Sequence, residues 1–499
     1  MQRIMWHQTG RTFLSAQAVP EAHTARALGA QATEGQRHDP VNEYEREPVP
    51  QGALLGLKSY VGQFTGEHVA GTELMIGPLF LAAGVSAFDF FFGLLAGNLL
   101  AVLSWTCFTA PIATRARLTL YYQLEQICGR RLVTLYNFAN GVMFTVLAGA
   151  MITVSATALG VYFRFPMPQL TDTLPTGAGW VVAVLATGVL FSCVAAYGYR
   201  FVSRFANIAA PWMVLVFVAF GIVGFHQMGL NSLGDFWRVA SKVIWTGGDP
   251  QPGQTKFTFW HVMFFAWFCN MAWHIGMADL SVLRYARKPW YGLTSAAGMF
   301  VGHFMAWIAA SILYAVQLHE DPTNTAVLPG PLAYRACGVA GLIAVVAAGW
   351  TTANPTLYRA GLAFQSLMPG SSRFRVTLLT GLIASITAIF PIVTMRLLGF
   401  VAMWGMILMP MGAVIFMDFW VLPKLGLRSN FAAAFGKQFN WAAGLAWVLT
   451  IAACTWLVLA GHTQIYFVSL PGWFLTSLLY VGLSKLLQRQ TPAPAPTQS

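Results

Sequence analysis

The chain has 499 residues, of which 57% are hydrophobic and only 9% charged, with 29 Lys and Arg against 17 Asp and Glu for a formal charge of +12. A soluble domain carries about 25% charged residues, so composition excludes a soluble globular protein and places the chain in a bilayer as a polytopic membrane protein. Basic residues of such a protein collect in cytoplasmic loops facing anionic lipid, so the positive balance implies no nucleic-acid partner.

Residues 1–50 mix Ala, Gln, Thr, Arg and Glu without period and hold no apolar run of a secretory signal; they read as a disordered cytoplasmic tail. About 20 apolar residues cross a bilayer as a helix. By that measure twelve spans follow, near 59–84, 87–110, 133–161, 177–198, 206–229, 257–283, 291–316, 337–368, 375–392, 394–422, 440–460 and 464–485. The alternating ten-residue segments of a barrel are absent from the sequence, so the spans are helical. Residues 489–499, ending in TPAPAPTQS, form a second loose tail. The six cysteines are scattered, with no CxxC pair and no disulfide spacing.

Loops after even-numbered spans carry fourteen Lys and Arg, and loops after odd-numbered spans carry six, including Arg396. That bias puts both termini in the cytoplasm. The segments GDPQPGQTKF (248–257) and LHEDPTNTAVLPGP (318–331) then lie outside.

Three spans break the apolar rule. Span 1 holds Gln63, Glu67, His68 and Glu73 among Gly62, Gly66, Gly71, Gly77 and Pro78, which give the backbone leave to unwind. Span 6 holds Trp267, Asn270 and His274, the last two four apart on one helical face, with Asp279 near its cytoplasmic end. Span 8 holds Thr351, Thr352, Asn354, Pro355 and Arg359. A charge at mid-membrane costs roughly 2.5–3.5 kcal/mol on insertion scales, so these groups must pair, face water or bind something. Span-interior Thr and Asn often only bond helix to helix, and His303 and His226 read as packing or interfacial residues. Glu67 and His68, side by side among glycines, read as functional. Spans 1 and 6 are five apart, which is the pattern of two inverted repeats that each begin with a broken helix (51–230, spans 1–5; 231–425, spans 6–10), followed by spans 11 and 12 (426–488).

Several stretches together resemble the nucleobase–cation symporter-1 family, the purine/cytosine permease and hydantoin transporter group. They are EREPVP (45–50), GVSAFDFFFGLLAGNLLAVL (84–103), RARLTLYYQLEQICGRR (115–131), MADLSVLRYARKP (277–289), AAGWTTANPTLYRAGLAFQ (347–365) and MDFWVLP (417–423). The resemblance implies an all-α, leucine-transporter-like fold with a 5+5 inverted repeat plus two extra helices, and cation-coupled uptake by alternating access. It implies a cation site at Ala348, Thr351 and Thr352 with span 1 carbonyls near Phe64 and Glu67. It places His68 at a substrate-facing position, Asn270 or Trp267 at the span 6 aromatic stack, and Thr356 or Leu357 at the span 8 substrate contact. The family's span 3 Trp-x-x-x-Gln is not recognisable here, and Glu67, His68 and Arg359 depart from its pattern. The chain therefore reads as a divergent branch.

The expected function is a symporter for a small polar, nucleobase-like heterocycle, with another small polar solute as the alternative cargo. Hydroxyl and carbonyl oxygens suit a hard cation. Glu67 would neutralise that cation or carry a proton itself, so Na+ or H+ is the coupling ion and no cofactor is expected. His68, Asn270 and His274 would bond the cargo while Trp267, Phe264 and Phe268 offer aromatic faces. Arg359 would pair with Glu67, Glu73 or Asp279, as structural or coupling groups. A membrane metalloenzyme using Glu67, His68, Glu73 and His274 is the distant alternative; the sequence has neither HExxH nor repeated His boxes. A channel or receptor is another, without a long soluble sensing domain to favour it. A monomer suffices for the expected mechanism.

Overall fold

The computed structural model describes residues 43–490 apart from 170, 369 and 396. Most of the expected N-terminal tail (1–42), most of the C-terminal one (491–499) and Arg396 lie outside the described residues. Among the described residues, nine helices are long and apolar enough to cross a membrane. Broken spans 1 and 6 and the shorter helix Arg373–Ala388 complete the set of twelve.

Span 1 is two helices, 1a (Leu57–His68) and 1b (Glu73–Ala82). Span 6 is likewise split into 6a (Phe259–Phe268) and 6b (Met271–His274). Halves 1b and 6a are apolar but only 10 residues long, too short to cross alone. The packing is reciprocal. Half 1b lies on span 7 (Pro289–Glu320) while half 6a lies on span 2 (Ala87–Ala116), and span 3 (Arg130–Phe163) runs along span 8 (Pro329–Leu367).

Close helix approach comes from small residues, as membrane packing requires. A Cβ added at Gly349 of span 8 would collide with the Ser155 hydroxyl of span 3 and sit 2.8 Å from the Met151 carbonyl. On the outside, span 2 exposes Phe88, Phe92, Leu95, Leu99 and Leu103 along one helical stripe. Water would penalise such a patch; hydrocarbon does not.

Residues 43–50, placed with the tail from sequence, are instead packed into the body. Glu43 is buried and its carboxylate accepts from the Tyr199 backbone N–H at 2.7 Å. Arg284 donates to the carbonyls of Tyr44 (2.6 Å) and Glu43 (2.7 Å). Gly198, at φ +96°, leaves the room: a Cβ there would strike the Glu43 carboxylate. Periodicity could not find this segment, because its anchor is a pair of backbone carbonyls held by an arginine 240 residues away.

Candidate cargo and cation site

Span 1a stops at His68. Val69 leaves the helical region (φ −87°, ψ 60°), and regular helix resumes only at Glu73. Gly71 sits in the gap against span 3, where a Cβ would lie 2.6 Å from Val154 Cγ1. Backbone freed inside a bilayer must find partners within the protein. The Glu67 carbonyl finds the Thr352 hydroxyl of span 8 at 3.0 Å, and that hydroxyl also lies 2.9 Å from the Ala348 carbonyl. One hydroxyl proton serves only one of these two acceptors at a time. Glu67 O, Ala348 O and Thr352 Oγ1 thus form a set of hard oxygens suited to a small cation. The other two expected members are engaged elsewhere. Thr351 donates within its own helix to the Ala347 and Ala348 carbonyls (3.0 and 3.2 Å) and lies against Met213. The Phe64 carbonyl lies 2.8 Å from His68 Nδ1.

Beneath the gap lies a buried charge cluster. Arg359 donates to Glu67 Oε1 and to Asp279 Oδ1, both at 2.5 Å, and to Glu67 Oε2 at 3.2 Å. Two tryptophan N–H groups complete it, Trp273 to Glu67 (3.1 Å) and Trp105 to Asp279 (2.6 Å). Trp105 begins a π-helical turn, Trp105–Thr109, a deviation frequent at functional sites. Asp279 reaches Arg359 because the chain reverses after 6b. Met277 takes the left-handed conformation (φ +63°) and Asp279 N–H returns to the Trp273 carbonyl. A left-handed non-glycine residue costs roughly 1–2 kcal/mol, and it persists where surrounding bonds over-determine it. Of the three carboxylates offered to Arg359 by sequence, it takes Glu67 and Asp279.

Glu73 has a different setting. It accepts from Trp307 Nε1 of span 7, and its second oxygen faces His303 Nε2 at 3.6 Å. His303 lies in a π-helical stretch, Ala297–Phe304. It packs edge-on to His68 (4.8 Å between ring centres) and stacks on Trp307 (4.5 Å). Gly298 and Gly302 of the same stretch admit His68, since a Cβ at Gly298 would lie 2.6 Å from its ring Nδ1 and one at Gly302 would lie 2.6 Å from its Cβ. These groups wall a cavity of about 100 Å³ at the break. Its polar side includes Glu67, His68, Glu73, Asn270, His303 and Thr352; its apolar side includes Leu147, Met151, Phe268 and Val401. A second hollow of about 270 Å³ shares Thr72, Ile76 and Leu397 with it and reaches Gln251, Gln254 and Thr325 of the loops 248–257 and 318–331.

Several sequence expectations need correction. His303 is not interfacial; it is 4% exposed and, besides packing on His68 and Trp307, faces a carboxylate in the cavity. Asn270 and His274 do not share a working face, because the helix stops between Phe268 and Met271. Asn270 lines the cavity, 3.4 Å from His303, whereas His274 turns back to the Trp267 carbonyl at 2.9 Å and packs on Trp105. Trp267 lies outside the cavity lining, donating to Ser104 and stacked on Phe268. Thr356 donates to the Thr352 carbonyl one turn back in span 8, away from the lining, and Leu357 is fully buried. The residues that sequence reasoning missed are Trp105, Trp273, His303 and Trp307. For the last two a signal existed: His303, Trp307 and Ser311 recur every four residues along span 7.

No protein-family model matches the chain. It is 24% identical over 462 residues to cytosine permease of Escherichia coli strain K12, covering 91% of this chain and 96% of that protein. Among solved structures it resembles Mhp1, a nucleobase-cation-symport-1 family transporter, closed with bromovinylhydantoin bound. There the TM-score is 0.65 at 14% identity, over 91% of this chain and 98% of the other. A Na+-coupled sialic acid symporter in a substrate-bound outward-open state gives 0.62 at 15% identity, over 89% and 92%. With the broken spans 1 and 6 and the span 8 Thr-Thr pair in place, the chain shares the fold of Mhp1 and is similar along nine-tenths of its length to a cytosine permease.

Proposed function

We propose that the protein is a cation-coupled symporter that carries a small polar, nucleobase-like heterocycle across the membrane by alternating access. One observation carries this reading: a single four-residue gap in span 1 adjoins both an oxygen set and a polar-walled cavity, which meet at Thr352. A ligand in the cavity and a cation at Glu67 O, Ala348 O and Thr352 Oγ1 would each help order the same gap. Each would therefore raise the affinity for the other, as reciprocal linkage requires. The Glu67 carboxylate, held by Arg359, supplies negative charge beside the oxygens without being one of them.

Spans 1–5 and 6–10 act as two inverted units in this proposal, supported by the reciprocal packing of 1b on span 7 and 6a on span 2. With both termini in the cytoplasm, the hollow near the loops 248–257 and 318–331 is the outer vestibule. The Glu43–Arg284 seam then closes the inner side. The relatives' cargoes, cytosine and a hydantoin by their names, support a flat heterocycle as substrate.

The test is uptake of cytosine into proteoliposomes under an imposed Na+ gradient or an imposed proton gradient. One gradient should drive accumulation above equilibrium, and Thr352→Ala should abolish it while leaving the protein folded. Accumulation that is indifferent to both gradients, or to Thr352→Ala, would refute the assignment.

A further inference from the structure

Four buried ionisable side chains lie in spans 1, 6 and 8: Glu67, Glu73, Asp279 and Arg359. Arg359 takes Glu67 and Asp279, which leaves Glu73 over. Among the described residues its only ion-pair neighbour is His303, at 3.6 Å, and its one hydrogen-bond donor is the Trp307 indole. Glu73 is 3% exposed, yet it lines the cavity. A carboxylate offers about four lone-pair positions, and Trp307 occupies one. The groups facing it are His303 and Trp307 from span 7, His68 from span 1a, and Cys269 and Asn270 from span 6, with no lysine or arginine among them. A buried carboxylate without a fixed counter-charge is costly, and a cationic or N–H-rich ligand would relieve that cost with charge-assisted bonds.

We propose that Glu73 is the cargo-reading carboxylate of the cavity, and that the cargo is a small planar heterocycle presenting an amidine-like edge, with adjacent N–H donors or a positive charge, to it. This rests on the symporter reading and adds the chemistry of its substrate. The cavity, at about 100 Å³, lies well below the roughly 300–1,000 Å³ of sites for drug-sized ligands, which fits a single ring. Asn270 and His303, 3.4 Å apart, can serve the ring's remaining polar atoms. Phe265, Trp273 and Trp307 supply aromatic surface in the same lining. Carbonyl-flanked edges would face the carboxylate with oxygen against oxygen and be rejected.

The test is ligand binding to the purified full chain in nanodiscs, by calorimetry, with three one-ring probes. 2-Aminoimidazolium and isocytosine carry adjacent N–H donors; uracil is carbonyl-flanked. Wild type should bind the first two and not uracil. Glu73→Gln should bind them roughly 10- to 100-fold more weakly, the loss expected for one charge-assisted bond. Glu73→Asp, which keeps the charge, should lose less than Glu73→Gln and report on geometry if Gln perturbs folding. Uracil bound as well as the donor probes, none of the three bound, or donor affinity unchanged in Glu73→Gln would each overturn the assignment. Donor binding kept in Glu73→Gln with gradient-driven uptake lost would also overturn it, giving Glu73 to ion coupling instead. Binding as expected with no gradient-driven uptake would keep the assignment and sink the symporter reading alone.

Discussion

Glu67 and Glu73 stand six residues apart in one span, both nearly inaccessible, and the structure treats them oppositely. Glu67 lies in the last turn of half-helix 1a and is bound by a guanidinium, an amide and an indole. Glu73 opens the outer half-helix and meets an indole, a histidine and empty space. The four residues between them are the hinge of that difference. Unwinding lets the first carboxylate reach Arg359 at the edge of the cavity and leaves the second facing the cavity without a guanidinium. The same two residue types therefore serve cohesion on one side of a break and recognition on the other.

The largest expected effect tests the cohesive side. Arg359→Gln leaves Glu67 and Asp279 buried without a cation. Removing one partner from a buried pair costs about 3–5 kcal/mol, so thermal unfolding in detergent should show severe loss or no folded protein. Adding Glu67→Gln to that variant removes one of the two stranded charges and should recover about 0.5–3 kcal/mol, the usual range of coupling between contacting residues. Additivity between the two substitutions would mean that the cluster is not a unit.

Next is Trp307→Phe, which strips the one donor from Glu73 and should cost about 1–3 kcal/mol for an unsatisfied buried acceptor. Its effect should disappear in a Glu73→Ala background. Gly302→Ala tests the fit of span 7 against the end of 1a. The new Cβ would sit 2.6 Å from His68 Cβ, and overpacking of this kind costs about 1–3 kcal/mol. The smallest effect is expected of Glu73→Gln on stability. Replacing a buried carboxyl that has no fixed counter-charge should leave the unfolding temperature unchanged or raise it, since the amide carries no cost of burying a charge. A large fall in that temperature would show that Glu73 belongs with Glu67 as a structural group. An exposed pair such as Asp235–Arg238 serves as the reference, since water and salt screen it.

Much of this is legible in the sequence. Hydropathy alone separates twelve spans, and the cost of an isolated charge already demands that Arg359 find a carboxylate. The glycines around Glu67 and His68 mark span 1 as breakable. What could not be read is direction. A helical face is defined only while the helix continues, so the pairing of Asn270 with His274 fails where span 6 stops after Phe268. The choice of Asp279 over Glu73 as the second partner of Arg359 depends on the reversal at Met277, and no periodicity encodes a left-handed methionine. His303 looks like an ordinary lone histidine until the π-helical stretch Ala297–Phe304 is seen to carry it inward.

The most direct test of the central claim, that the break in span 1 opens a cargo cavity, uses Cys269. Its side chain lines that cavity, 3.8 Å from His303. In a variant that keeps Cys269 and replaces the other five cysteines, a small water-soluble thiol reagent is applied from the side of loops 248–257 and 318–331, with and without isocytosine. The account predicts that Cys269 is labelled from that side and that isocytosine slows the labelling. Labelling at the same rate with isocytosine present, or none from that side, would contradict it.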